Sequence, residues 1–192
     1  YMARQGVHIF DLVKTRRCLI TAAQFLADLV KAGGKVIFVG TKRQAAPIIE
    51  KKVKGIGMFY IKKRWIGGLL TNWSEVKKNL EKLIDLKKEI GKRRGGRTKY
   101  EQVLLKREYS RLEGFYGGIS GLTDIPQALF VVDVKREKTA IAEAKKMGIP
   151  VVAIVDTNNN PSGIDYVVPA NDDAKGSIDY IVGKIVEAIK GK

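Results

Sequence analysis

Three unbroken runs of β-branched and aromatic residues constrain this chain more than anything else in it. They are Lys35-Val36-Ile37-Phe38-Val39-Gly40, Ala128-Leu129-Phe130-Val131-Val132-Asp133 and Pro150-Val151-Val152-Ala153-Ile154-Val155-Asp156. A strand with one wet face alternates apolar and polar side chains; a continuous run belongs in a sheet covered on both faces. Met58 to Ile61 and Asp165 to Val168 are shorter candidates. Helical periods lie between them. Leu19 to Lys31 carries the stripe Leu19, Ala22, Ala23, Leu26, Leu29 and Val30. Gln44 to Lys54 has Pro47 in its first turns, where proline costs least. Glu137 to Met147 ends at Gly148 as a cap, and Ser177 to Lys190 closes the chain. Strand and helix alternating in this way predict right-handed crossovers and a three-layer, doubly wound α/β domain with a parallel sheet.

One segment breaks the alternation. From Thr71 to about Gly118 no strand is expected and the apolar spacing turns heptad-like: Trp73, Val76, Leu80, Leu83 and Ile90, interrupted at Lys87, then Leu105, Tyr109, Leu112, Tyr116 and Ile119. Between the two rows lies Gly91 to Lys99, with five cations, three glycines and no acid. Two helices joined by such a tip make an antiparallel coiled-coil hairpin, marginal alone because its seam is narrow. The predicted division is an α/β domain at 1–70 and 119–192, with the hairpin inserted at 71–118.

Charge narrows the function. The chain carries 36 Lys and Arg against 20 Asp and Glu, a net +16 with a pI near 9.9. The excess is segregated: 11 basic and 3 acidic residues over 1–61, 16 and 7 over 62–118, and 9 and 10 over 119–192. A basic two-thirds joined to a neutral last third calls for a polyanionic partner, bound less tightly as salt rises. Within it, Lys62-Lys63-Arg64-Trp65-Ile66-Gly67-Gly68 sets three cations, an indole and a glycine pair just after a strand, at the root of the hairpin. Cations attract phosphate, and an indole can stack on a base. Trp65 suits packing or stacking alike, whereas Trp73 fits the apolar seam.

Signals for catalysis are weaker. Gly40-Thr41-Lys42-Arg43 follows a strand and opens a helix, but it lacks the full phosphate-loop spacing, so Lys42 and Arg43 on an RNA phosphate is the better reading. Asp133 and Asp156 end two strands, and Asp156-Thr157-Asn158 offers oxygen ligands for a metal; such residues also serve turns. Asp172-Asp173 reads as a helix N-terminal cap. His8 completes no triad. Cys18 is the single cysteine, which excludes an intrachain disulfide and a cysteine-rich zinc site and fits a reducing compartment. No apolar run approaches the roughly 20 residues of a spanning helix, and no signal-peptide pattern opens the chain. It begins at Tyr1, so upstream residues are expected to have been removed or left out.

Val39-Gly40-Thr41-Lys42-Arg43, Arg64-Trp65-Ile66-Gly67-Gly68 with Leu70-Thr71-Asn72, Gly148 to Asn158, Ile164 to Pro169 and Asn171 to Ala174 follow one another in the order seen in a known family. The chain resembles the small-subunit ribosomal protein two family, bacterial type. The resemblance implies a flavodoxin-like parallel α/β domain with an inserted coiled-coil hairpin, no enzymatic activity and no cofactor or metal. It also implies contact with small-subunit ribosomal RNA and neighbouring ribosomal proteins, including the large mRNA-binding one. The expected place is the ribosome, in the cytoplasm or an organelle, with no membrane and no homo-oligomer. Some features depart from the family. Its usual Gly-His and Trp-Asn-Pro segment would precede Tyr1, and truncation or disorder is the expected reason for its absence here. Asn159, Asn160 and Ser162 replace more acidic residues, Ala170 stands where glycine is usual, and Lys175-Gly176 replaces a hydrophobic-basic pair. The RNA-contacting set expected here is Lys42, Arg43, Lys62, Lys63, Arg64, Trp65 and Asn72, extended by Arg4, Arg16 and Arg17. Lys92, Arg93, Arg94 and Arg97 add a second contact at the hairpin tip. The rival readings are a nucleotide-dependent enzyme built on Gly40 to Arg43 with Asp133 or Asp156, and a coiled-coil adaptor whose charge is incidental.

Overall fold

The computed structural model describes residues 2–4, 7–91 and 98–191. After an antiparallel pair, β1 (Met2–Arg4) and β2 (Val7–Ile9), come α1 (Leu12–Lys31), β3 (Val36–Val39), α2 (Ala46–Lys54) and β4 (Phe59–Ile61). Two long helices follow, α3 (Trp73–Gly91) and α4 (Lys99–Tyr116). The chain then alternates again through β5 (Ala128–Val132), α5 (Lys138–Met147), β6 (Val151–Val155), β7 (Tyr166–Pro169) and α6 (Lys175–Ile189). β3 to β7 form one parallel sheet in the order β4-β3-β5-β6-β7, the flavodoxin-like arrangement.

The three apolar runs fill the middle of that sheet, and every residue of β3, β5 and β6 is buried. Successive side chains point to opposite faces. Val36, Phe38, Phe130, Val132, Val152 and Ile154 meet α1, α2 and α6; Ile37, Val39, Leu129, Val131, Ala153 and Val155 meet α5 and the roots of α3 and α4. The long helices are therefore rooted in the core of the sheet. Their seam holds Val76, Leu80, Leu83 and Leu86 against Leu112 and Tyr116. Leu86 takes the place expected near the Lys87 interruption, and Ile90 is exposed instead. The Lys82–Glu108 ion pair shows the two helices running in opposite directions, since Asn79, before Lys82, shares a groove with Arg111, after Glu108.

Local chemistry sets the ends. Asp11 Oδ1 accepts from the amides of Val13 and Lys14, so α1 starts at Leu12, seven residues before the expected Leu19. Thr98 and Glu101 form a reciprocal capping box at the start of α4. α5 stops at Gly148, as expected. The return of α4 into the sheet requires Gly118, because a Cβ there would collide with the Tyr60 carbonyl oxygen. That close approach fixes the hairpin root beside β4.

Candidate nucleic-acid interface

Parallel strands deliver all their following turns to one edge of the sheet, where α/β proteins bind ligands. The turn after β3 is closed on itself. Lys42 Nζ lies 2.6 Å from Asp172, 2.7 Å from Asp173 and 3.2 Å from Asp133. Burial disfavours its charge, but hydrogen bonds to Asp172, Asp173 and Asp133 outweigh that and hold its pKa above the ordinary lysine range. Burial pushes Asp172 up despite Lys42, helped by the charges of Asp133 and Asp156. The Thr41 amide and hydroxyl both donate to Glu137 Oε1, and Arg136 Nε donates to Thr41 Oγ1 at 2.8 Å. Lys42 is thus spent on internal carboxylates, which corrects its expected place on a phosphate.

The same cluster corrects the reading of Asp172-Asp173 as a cap. Ala174 holds the N-cap position of α6 and makes no side-chain cap bond; Asn171 Oδ1 accepts from the Asp173 and Ala174 amides instead. Asp156, Asp172 and Asp173 bring carboxylate oxygens within 4.8 Å of one another, a possible metal-ligand set. Lys42 already bonds two of them, so the chain itself supplies the cation that this cluster calls for. The nucleotide reading weakens too, because the Thr41 amide that would face a phosphate is taken by Glu137.

The turn after β4 is arranged the other way round. One carboxylate, Glu143 on α5, accepts from Trp65 Nε1 at 3.0 Å, the Gly68 amide at 2.8 Å, the Leu70 amide at 3.0 Å and the Thr71 amide at 3.5 Å. Gly68 is at φ 84°, which lets the loop fold around that carboxylate. Burial alone would raise the Glu143 pKa, but these donors outweigh it and hold it below the usual range. Trp65 is 6% exposed, packed in the core with Leu69 and Leu70. Its indole is committed to the fold, which corrects its place as a base-stacking residue.

With Glu143 engaged by N–H groups, the adjoining cations face outward. Lys63, Arg64 and Asn72 are exposed, and among the described residues neither Lys63 nor Arg64 forms an ion pair. Lys62 differs: it is half-buried and pairs with Glu50. Asn72 Oδ1 accepts from Ser74 at the start of α3. Arg43 is exposed beside the closed turn. Arg16 and Arg17 are exposed on α1, which Thr15 Oγ1 ties to the Pro169 carbonyl of β7. β4 and β7 are opposite edges, four strand spacings apart, roughly 19 Å. These two arginines form a separate patch and do not extend the one at Lys63–Arg64. Arg4 lies on β1, and Lys92, Arg93, Arg94 and Arg97 fall outside the described residues. The sequence reading passed over Arg111 and Phe115, which border the Arg64 side; their i,i+4 spacing on one helix face was the available signal.

A family model described as ribosomal protein S2 spans residues 1–191. The chain belongs to the ribosomal protein S2 family. Within it, the small ribosomal subunit protein uS2 of Paracoccus denitrificans (strain Pd 1222) is 47% identical over 178 residues, covering 93% of this chain and 68% of that protein. Its namesake in Synechococcus elongatus is 44% identical over 191 residues, covering 98% of this chain and 76% of that one. In this ribosomal protein S2 family member, the stretch from Trp65 to Leu70 is first of all a holder for Glu143, and Lys63 and Arg64, just before it, are exposed.

Proposed function

We propose that this chain is a non-catalytic structural component of the small ribosomal subunit, held in place by ribosomal RNA. The observation that carries the RNA contact is the loop after β4, whose nearby carboxylate is saturated by N–H donors while Lys63 and Arg64 stay exposed. Those two residues, with Arg43 and Asn72, take phosphates and sugars at the sheet edge. Arg16, Arg17 and Arg4 make a second contact, and Lys92, Arg93, Arg94 and Arg97 a third at the tip of an inserted hairpin spanning 71–118. Contacts of this kind position a protein and read RNA shape more than sequence.

Leu12, Val13 and Ile20 on α1 are large, apolar and exposed, which supports a neighbouring ribosomal protein against that helix. The large mRNA-binding protein of the subunit is one such neighbour. No helix is long and apolar enough to cross a membrane among the described residues, and the cytoplasm or an organelle is the proposed compartment. Gradient sedimentation of a lysate tests the class. The expected result is co-migration with small subunits that survives moderate salt; protein remaining at the top of the gradient would count against it.

A further inference from the structure

A groove of about 550 Å³ runs between the loop after β4 and the root of the hairpin. Arg64 and Gly67 line one side, Asn79 and Arg111 the other, with Phe115 and Tyr116 along it. None of its described lining residues is acidic. Three other grooves on the described surface each include carboxylates: Asp165 beside β7 and again beside Gly148, and Glu81, Asp85 and Glu89 on α3. The acids of α4 nearest in sequence are engaged elsewhere, Glu108 by Lys82 and Glu113 by Tyr109.

The lining has the parts a nucleotide needs. Phe115 is 37% exposed, an unusual position for a phenylalanine that the seam has no use for. Lys63 Nζ stands 5.6 Å from the centroid of its ring, so Lys63, Arg64 and Arg111 border one aromatic side chain. Cations beside an exposed ring are the recurrent means of holding single-stranded nucleic acid, with charge for the backbone and stacking for the base. Asn79 adds a donor and an acceptor for a base edge. The volume lies in the range of small-ligand sites.

We propose that this groove holds one unpaired nucleotide of RNA, its base against Phe115 and its phosphate between Arg64 and Arg111. The proposal rests on the RNA-binding reading above and adds to it a specific subsite. Neither Phe115 nor Arg111 is needed by the core, so both can be changed without unfolding the chain.

The test uses the full chain with three probes: a small-subunit ribosomal RNA transcript, a fluorescein-labelled uridine nonamer, and an abasic nonamer with the same phosphates. The base-bearing nonamer should bind roughly tenfold tighter than the abasic one. Phe115→Ala should erase that preference and leave the salt dependence alone, while Phe115→Tyr keeps it. Arg111→Ala should keep the preference and lower the slope of log affinity against log salt by about one. Equal binding of both nonamers by the parent chain, with the transcript still bound, would overturn the subsite and leave the RNA reading standing. Failure to bind the transcript would overturn that reading as well. Displacement of the nonamer by an equally charged acidic peptide, with the same dependence on Phe115, would assign the groove to a protein partner and overturn the proposal.

Discussion

The turns after β3 and β4 stand at the same edge of the same sheet, and both read in the sequence as cations awaiting a phosphate. They are opposites. After β3, Lys42 is drawn inward by Asp133, Asp172 and Asp173, and even the Thr41 amide is taken by Glu137. After β4, the local carboxylate serves backbone and indole N–H groups, and Lys63 and Arg64 remain on the surface. A run of positive charge announces a binding surface only when the fold has nothing else for it to do. Which acids lie across the sheet edge decides that, and they come from strands and helices far along the chain.

The largest expected effect comes from the closed turn. Lys42→Met leaves Asp172, a buried carboxylate, facing Asp133 and Asp173 without their cation and should cost about 3–5 kcal/mol of stability in a denaturant titration. A loss within ~0.5 kcal/mol would mean that Lys42 is free for an outside partner after all. Next is the loop's holder. Glu143→Ala removes the acceptor of the Gly68 and Leu70 amides and of the Trp65 indole. Because Glu143 is only half-buried, water can reach part of the site, and the loss should total about 1–3 kcal/mol. Because the Glu143 pKa is depressed in the folded chain, its stabilisation is present above the ordinary carboxylate range and lost as pH falls through the folded value. Stability measured against pH should therefore lose part of its acid limb in Glu143→Gln; an unchanged profile would contradict the clasp.

The open turn should behave differently. Lys63→Glu with Arg64→Glu should leave stability within ~0.5 kcal/mol, as surface changes do, yet weaken association with the small subunit at physiological salt. Unfolding by the pair would show that those cations are structural. The smallest change is Gly114→Ala. Its Cβ would meet only the far end of the Lys63 side chain, which can move, while the helix gains roughly 0.5–1 kcal/mol. RNA affinity should barely shift, and a large loss would show that the resting place of Lys63 matters.

The sheet was legible because its three central strands are fully buried: β3, β5 and β6 each lie within one residue of the limits their apolar runs suggest. β1 and β2 were not, since three-residue strands with mixed side chains carry no period. The first turns of α1 were hidden by Leu12 and Val13, which point at solvent and blur the stripe, although Asp11 marked the cap. In the hairpin, a strict heptad predicted Ile90 where Leu86 does the packing. The site was half legible. The exposure of Lys63 and Arg64 could be expected from charge and position, but the fates of Lys42 and Trp65 depend on Asp172 and Glu143, partners 130 and 78 residues away that no local pattern reveals.

The central claim is that Lys63 and Arg64 neutralise RNA phosphates. The salt dependence of binding to small-subunit ribosomal RNA tests it most directly, comparing the parent chain with Lys63→Ala/Arg64→Ala. Loss of two phosphate contacts should flatten the slope of log affinity against log salt by about two. An unchanged slope, in a variant that folds like the parent, would contradict the account.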